Sequence, residues 1–124
     1  MICLDTNYLV CSLIPGTREA DAVESWLQNG TELYAPSVAW YEFLCGPINS
    51  DEVLLVRAIL TGGLIPFEDA HAEAAARLFN ATGRLRRLRL DAMIASSAMV
   101  AGCRLATSNL ADFKVFVPFG LDLV

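Results

Sequence analysis

The chain has 124 residues, 55% of them hydrophobic, and a net charge of −5. That length suits one domain able to bury a core without disulfide or metal staples, and the apolar fraction excludes a disordered chain. The acidic balance excludes binding of nucleic acid by bulk charge, although four of the nine basic residues, Arg84, Arg86, Arg87 and Arg89, fall in one run, RLRRLR.

In chain order, ICL (2–4) reads as a short buried strand that stops at Asp5, Thr6 and Asn7. All three cap helices well, so Asp5 has a structural reading as an N-cap beside any functional one. EADAVESWLQ places Ala20, Val23, Trp26 and Leu27 on one helical stripe and ends at Asn29 and Gly30. ELYA (32–35) gives a second strand. After Pro36, SVAWYEFLCG predicts a helix with Ser37 as its N-cap, Glu42 about one turn in, and a stop at Gly46. DEVLLVRAILTGG is a further glycine-closed helix, LIPF (64–67) a third strand, and EDAHAEAAARLFNATG another helix. The arginine run leads into DAMIASSAMVAG, a long helix opened by Asp91 and closed by Gly102. RLATS (104–108) is the fourth strand, and VFVPFGLDLV offers a last edge strand interrupted by Pro118.

Cys3, Cys11, Cys45 and Cys103 form no C-x-x-C pair and have no histidine close in sequence, so they read as buried free thiols of a reducing cytosol. With no leader-like segment before Asp5 and no apolar run near the roughly 20 residues that span a bilayer, a cytoplasmic protein without a membrane partner is expected. His71 sits alone in an alanine-rich helix and reads as filler. Trp26, Trp40 and the phenylalanines read as core rather than base-stacking platforms. Ser96 and Ser97 fit a closely packed helix better than a nucleophile, since no G-x-S-x-G elbow exists.

Strands alternating with helices predict one α/β domain over residues 1–124, with a short parallel sheet of four to five strands covered by helices on both faces. In such a fold the carboxyl ends of strands and the amino ends of helices share one edge, where ligands bind. Asp5 ends the first strand, Asp91 begins a helix, Glu42 lies early in another, and Asn109 and Asp112 follow the fourth strand. Four distant segments thus send polar side chains to one rim. Carboxylates gathered there repel each other unless a cation is present, and an oxygen-only donor set suits Mg²⁺ or Mn²⁺.

MICLDTN, PSVAWYEFLCG, DAMIASSAMVAG and LATSNLADF together resemble, in order and spacing, the four motifs of PIN-domain ribonucleases. The compact length is most similar to the VapC toxins of toxin–antitoxin pairs. The resemblance implies a metal-dependent endoribonuclease acting on single-stranded or loop RNA, with a cognate antitoxin and a homodimer formed through amphipathic helices such as GTREADAVESWLQ and DEVLLVRAIL. It matches Asp5, Glu42 and Asp91 to the family's acids, with Asp5 and Asp91 as metal ligands, and Thr107 to its small hydroxyl residue. Where many members carry a fourth Asp this chain has Asn109, which leaves Asp112 as the candidate replacement. Arg84, Arg86, Arg87 and Arg89 are candidate RNA contacts on local sequence alone. Two other classes compete: a catalytically weakened PIN scaffold, which Asn109 favours, and a receiver-like signalling domain, which lacks the expected later lysine.

Overall fold

A computed structural model describes residues 1–124. Its centre is three- and four-residue strands: β1 (Ile2–Leu4), β2 (Leu33–Pro36), β3 (Gly63–Ile65) and β4 (Arg104–Ala106). They form one sheet in the order β3-β2-β1-β4, parallel throughout. Cys3 of β1 lies between Tyr34 of β2 and Leu105 of β4. Such short strands hold together because both faces are covered; Cys3, Leu4, Leu33, Ala35 and Leu105 are fully buried.

Helices α1 (Thr6–Cys11) and α2 (Arg18–Gln28) connect β1 to β2. Helices α3 (Ser37–Leu44) and α4 (Ser50–Ile59) connect β2 to β3. The third crossover holds α5 (Asp69–Ala81), a 3₁₀ turn over Arg86–Leu88, and α6 (Arg89–Ala101). The chain therefore steps outward from β1 to β3 and then jumps back to place β4 on the other side of β1. That reversal opens a crevice beyond the carboxyl ends of β1 and β4.

Packing follows side-chain size. In α6, Ala92, Ala95, Ser96, Ser97 and Ala98 are buried, which lets α5 approach closely through Ala74 and Ala75. The two serines are satisfied inside this contact. Ser96 donates to the carbonyls of Met93 and His71, and Ser97 to Met93, so neither hydroxyl is a free nucleophile. His71 is buried filler, its Nδ1 accepting the Glu68 N–H at 3.0 Å at the start of α5. Trp40 is core, with the Arg57 guanidinium stacked over its ring, whereas Phe119 is exposed.

Several sequence expectations shift. Ser37 is the first residue of α3 rather than its cap; its hydroxyl donates instead to the Ile65 carbonyl at the end of β3, tying helix to strand. Asp91 is the third residue of α6, because the 3₁₀ turn winds directly into the helix. The last edge strand is absent. Pro118 has no N–H to donate, and Lys114–Phe119 forms a 3₁₀ helix, so only a bridge between Leu105 and Leu123 remains. The cysteines are all free, but only Cys3 and Cys103 are buried, and Cys45 is exposed at the end of α3. No helix is long and apolar enough to cross a membrane.

Candidate active site

Asp5 follows β1 directly, and its backbone N–H continues the ladder to the Ala106 carbonyl at 3.0 Å. Its side chain is both a cap and part of the crevice. One oxygen accepts the Thr6 N–H at 2.7 Å as N-cap of α1; the other accepts the Thr107 hydroxyl at 2.7 Å. The structural reading of Asp5 is thus correct and incomplete. Burial drives its pKa above the ordinary carboxylate range, against the two donors, which lower it.

Thr107, the first residue after β4, ties the β4 end to β1 through Asp5, and its Oγ1 also accepts the Asn109 N–H at 3.0 Å. On the other flank the Thr6 hydroxyl donates to Glu42 Oε1 at 2.9 Å, which brings the half-buried Glu42 of α3 to the same edge. Beyond Asn109, the short α7 (Leu110–Phe113) carries Asp112. Asp112 accepts from Asn109 Nδ2 at 3.0 Å and from Arg87 Nη1 at 2.6 Å, and these donors hold its pKa below the ordinary range.

Asp91 shows that these groups share one field. Its pKa is raised to about 6, first by burial, then by the charges of Asp5, Asp112 and Glu42, with Arg87 partly offsetting them. The acids line an open edge rather than an enclosed cavity. None of Asp5, Asp91 and Asp112 borders any of the four cavities, and Glu42 touches only an apolar hollow of about 210 Å³ between α1, α3 and α4. Like charges do not close on one another without a cation between them.

No three Asp, Glu, His or Cys side chains converge closely enough to enclose an ion by themselves. Mg²⁺ does not require it. That ion keeps several waters and is held by one or two carboxylates plus substrate phosphates. An all-oxygen set whose member Asp91 is disfavoured as an anion by burial and then by its neighbours' charge fits such a cation.

The arginine run divides. Arg87 reaches the acids through Asp112, while Arg89 turns to α5 and stacks over Phe79 at 5.8 Å. Arg84 adopts φ +57° in the turn that closes α5, donating its N–H to the Phe79 carbonyl, and Arg86 is exposed. Sequence reading also missed two members of the edge. Glu19, in the first turn of α2, accepts the Ser108 hydroxyl at 2.8 Å; its own backbone N–H, and after it that hydroxyl, lower its pKa. A polar residue inside the TSN segment, next to Thr107, was the available signal for Ser108; Glu19 had none.

Because the Thr107 hydroxyl joins Asp5 to the Asn109 N–H, Thr107→Val is expected to cost about 2 kcal/mol at neutral pH by stranding the buried Asp5 oxygen. Thr107→Ser should recover most of this. Urea midpoints at constant m-value are the measure, and an unchanged midpoint in Thr107→Val would remove the hydroxyl from the account.

The family model for the PIN domain matches residues 2–116, almost the full chain. The chain belongs to the PIN-domain family. Among solved structures, this PIN domain is similar to a toxin–antitoxin complex from Klebsiella pneumoniae, at 25% identity and TM-score 0.70 over 91% of this chain and 90% of that one. It shares its fold with VapBC2 of Rickettsia felis bound to a promoter DNA fragment, at 19% identity and TM-score 0.71 over 100% and 98% of the two chains. DNA-bound VapBC of Salmonella typhimurium matches at 17% and TM-score 0.74, covering 99% and 96%. A search of curated protein sequences finds no significant match.

Proposed function

We propose that this PIN domain is a divalent-metal-dependent endoribonuclease, cutting single-stranded or loop RNA as the toxin of a toxin–antitoxin pair. The observation that carries the reading is the mutual field of Asp5, Glu42 and Asp91, in which an Asp91 carboxyl pushed up to about 6 marks a place for a cation. Asp5 and Asp91 would hold Mg²⁺ or Mn²⁺, which when bound neutralises phosphoryl oxygens and acidifies water. Thr107 and the Thr6 N–H orient Asp5, and the Thr6 hydroxyl orients Glu42. Glu42, with one oxygen engaged by Thr6, would hold an attacking water with the other. The test is cleavage of unstructured and hairpin RNAs across Mg²⁺ and Mn²⁺ titrations, with chelator as control. Cleavage that depends on the ion supports the reading; no cleavage at any concentration of either ion leaves a PIN-fold binding scaffold.

The similarity to a toxin–antitoxin complex and to VapBC complexes supports an antitoxin partner, and the surface supports self-association. The α2 stripe is covered by its own chain, Trp26 stacking on Tyr8, but Leu54 and Leu55 of α4 and Tyr41 and Leu44 of α3 stand exposed. A homodimer through these helices is the expected species. Light scattering at micromolar concentration checks it, and Leu54→Glu with Leu55→Glu should yield a folded monomer. A strictly monomeric parent protein would refute the dimer.

A further inference from the structure

The fourth-acid position holds Asn109, and the carboxylate nearest to replacing it, Asp112, differs from Asp5, whose two donors are neutral, in already being paired with a cationic side chain. Oδ1 accepts from Arg87 at 2.6 Å and Oδ2 from the Asn109 amide at 3.0 Å. Asparagine makes this arrangement possible, since its NH₂ donates to Asp112 where an aspartate would repel it. A cation seated on Asp112 would also face the guanidinium already paired there. Arg87, meanwhile, keeps 64% of its side chain exposed. Its bond to Asp112 uses one of five donors, leaving the rest of a planar fork whose geometry matches phosphate. Asn109 connects the pair inward, its N–H on Thr107 and the Thr107 hydroxyl on Asp5. One continuous chain of hydrogen bonds therefore runs from an exposed cation to the buried acid.

We propose that Asp112 is a positioning residue that holds Arg87 at the edge of the acidic crevice for an RNA backbone phosphate, and is not itself a ligand of the divalent ion. The inference rests on the ribonuclease reading above and assigns to the single residue Arg87 the role of phosphate guide. Arg86, with no anchor, and Arg89, committed to Phe79, do not share it. Without such a guide, the carboxylates would repel the approaching phosphate.

The test compares Asp112→Ala, Asp112→Asn, Arg87→Ala and the Asp112→Ala/Arg87→Ala double variant in the full chain. Mn²⁺ binding to the RNA-free protein is followed by paramagnetic titration. A single-stranded RNA oligomer is bound in Ca²⁺, with its salt dependence, and KM and kcat are measured separately in Mg²⁺. In Asp112→Ala, Mn²⁺ affinity should stay within about twofold while KM rises about three- to tenfold and kcat holds, as for loss of a binding contact. Arg87→Ala should match it and reduce the salt slope by about one charge, and the double variant should add little, because the two residues act as one unit. Asp112→Asn preserves shape without charge and should fall between. A tenfold loss of Mn²⁺ affinity in Asp112→Ala, additive KM effects in the double variant, or full recovery by Asp112→Asn would each overturn the proposal. If the parent protein cleaves no RNA, the ribonuclease reading fails, and the RNA-binding and Mn²⁺ arms still decide the role of Asp112.

Discussion

Asp91→Asn is expected to lower RNA cleavage by about a hundredfold or more while making the ion-free protein more stable. The two effects have one origin. The Asp91 carboxylate stands in a half-buried position in the field of Asp5, Asp112 and Glu42, which on the proposed reading a cation would neutralise. In the unfolded chain this group ionises near 3.8 and in the folded one at about 6. Between those values the folded state binds more protons, so stability falls as pH rises through the interval, and the full penalty is present above it. A shift of this size corresponds to about 3 kcal/mol without screening. Solvent access to the side chain reduces it to about 1 kcal/mol. Thermal melts in chelator should therefore show Asp91→Asn ahead of the parent protein at pH 7.5 and level with it near pH 4. Curves parallel at all pH values would show that neither burial nor the neighbouring carboxylates penalise the Asp91 charge. Asp5→Asn should lose cleavage equally but gain less stability, since the Asp5 carboxylate already receives two short donor bonds that an amide matches poorly.

Phe43→Ala is expected to destabilise the fold by about 3–5 kcal/mol. Phe43 is fully buried, its ring centroid 5.3 Å from that of Trp40, and it fixes the helix that carries Glu42 one position earlier. A small domain has about 5–15 kcal/mol to lose, so this one truncation leaves a variant close to unfolding at physiological temperature. In the Leu54→Glu/Leu55→Glu monomer background, Tyr41→Ser, on the exposed face of the same helix, should change stability by less than about 0.5 kcal/mol. Urea melts of both variants measure the contrast. Equal losses at the two positions would mean that α3 does not pack through the face described.

What could be read in advance divides along physical lines. The strands were legible because each carries a short apolar run, fully buried in β1 and partly so in β3 and β4, and the acids because they interrupt such runs or lie near helix starts. Asp5 and Glu42 needed only the α/β edge rule to be brought together. Boundaries moved where tertiary contacts decided them: Ser37 bonds to a strand that sequence does not place beside it, and Pro118 turned an apolar segment into a 3₁₀ helix. The partition of the arginines was invisible for the same reason. Arg87 and Arg89 are two residues apart, yet one reaches Asp112 and the other Phe79, as the turn between them directs.

The strand order also sets a timetable. β1 is made first and β4 last, and the two lie side by side with Asp5 and Thr107 joined across 102 residues of chain. A polypeptide emerging from the ribosome can pair β1 with β2 and β3 early, but the crevice has only one wall until β4 has been synthesised and docked. The buried Asp5 oxygen then waits, solvated, for its partner. On the ribonuclease reading, no cleavage can therefore begin before β4 has docked and the Thr107 hydroxyl has reached Asp5.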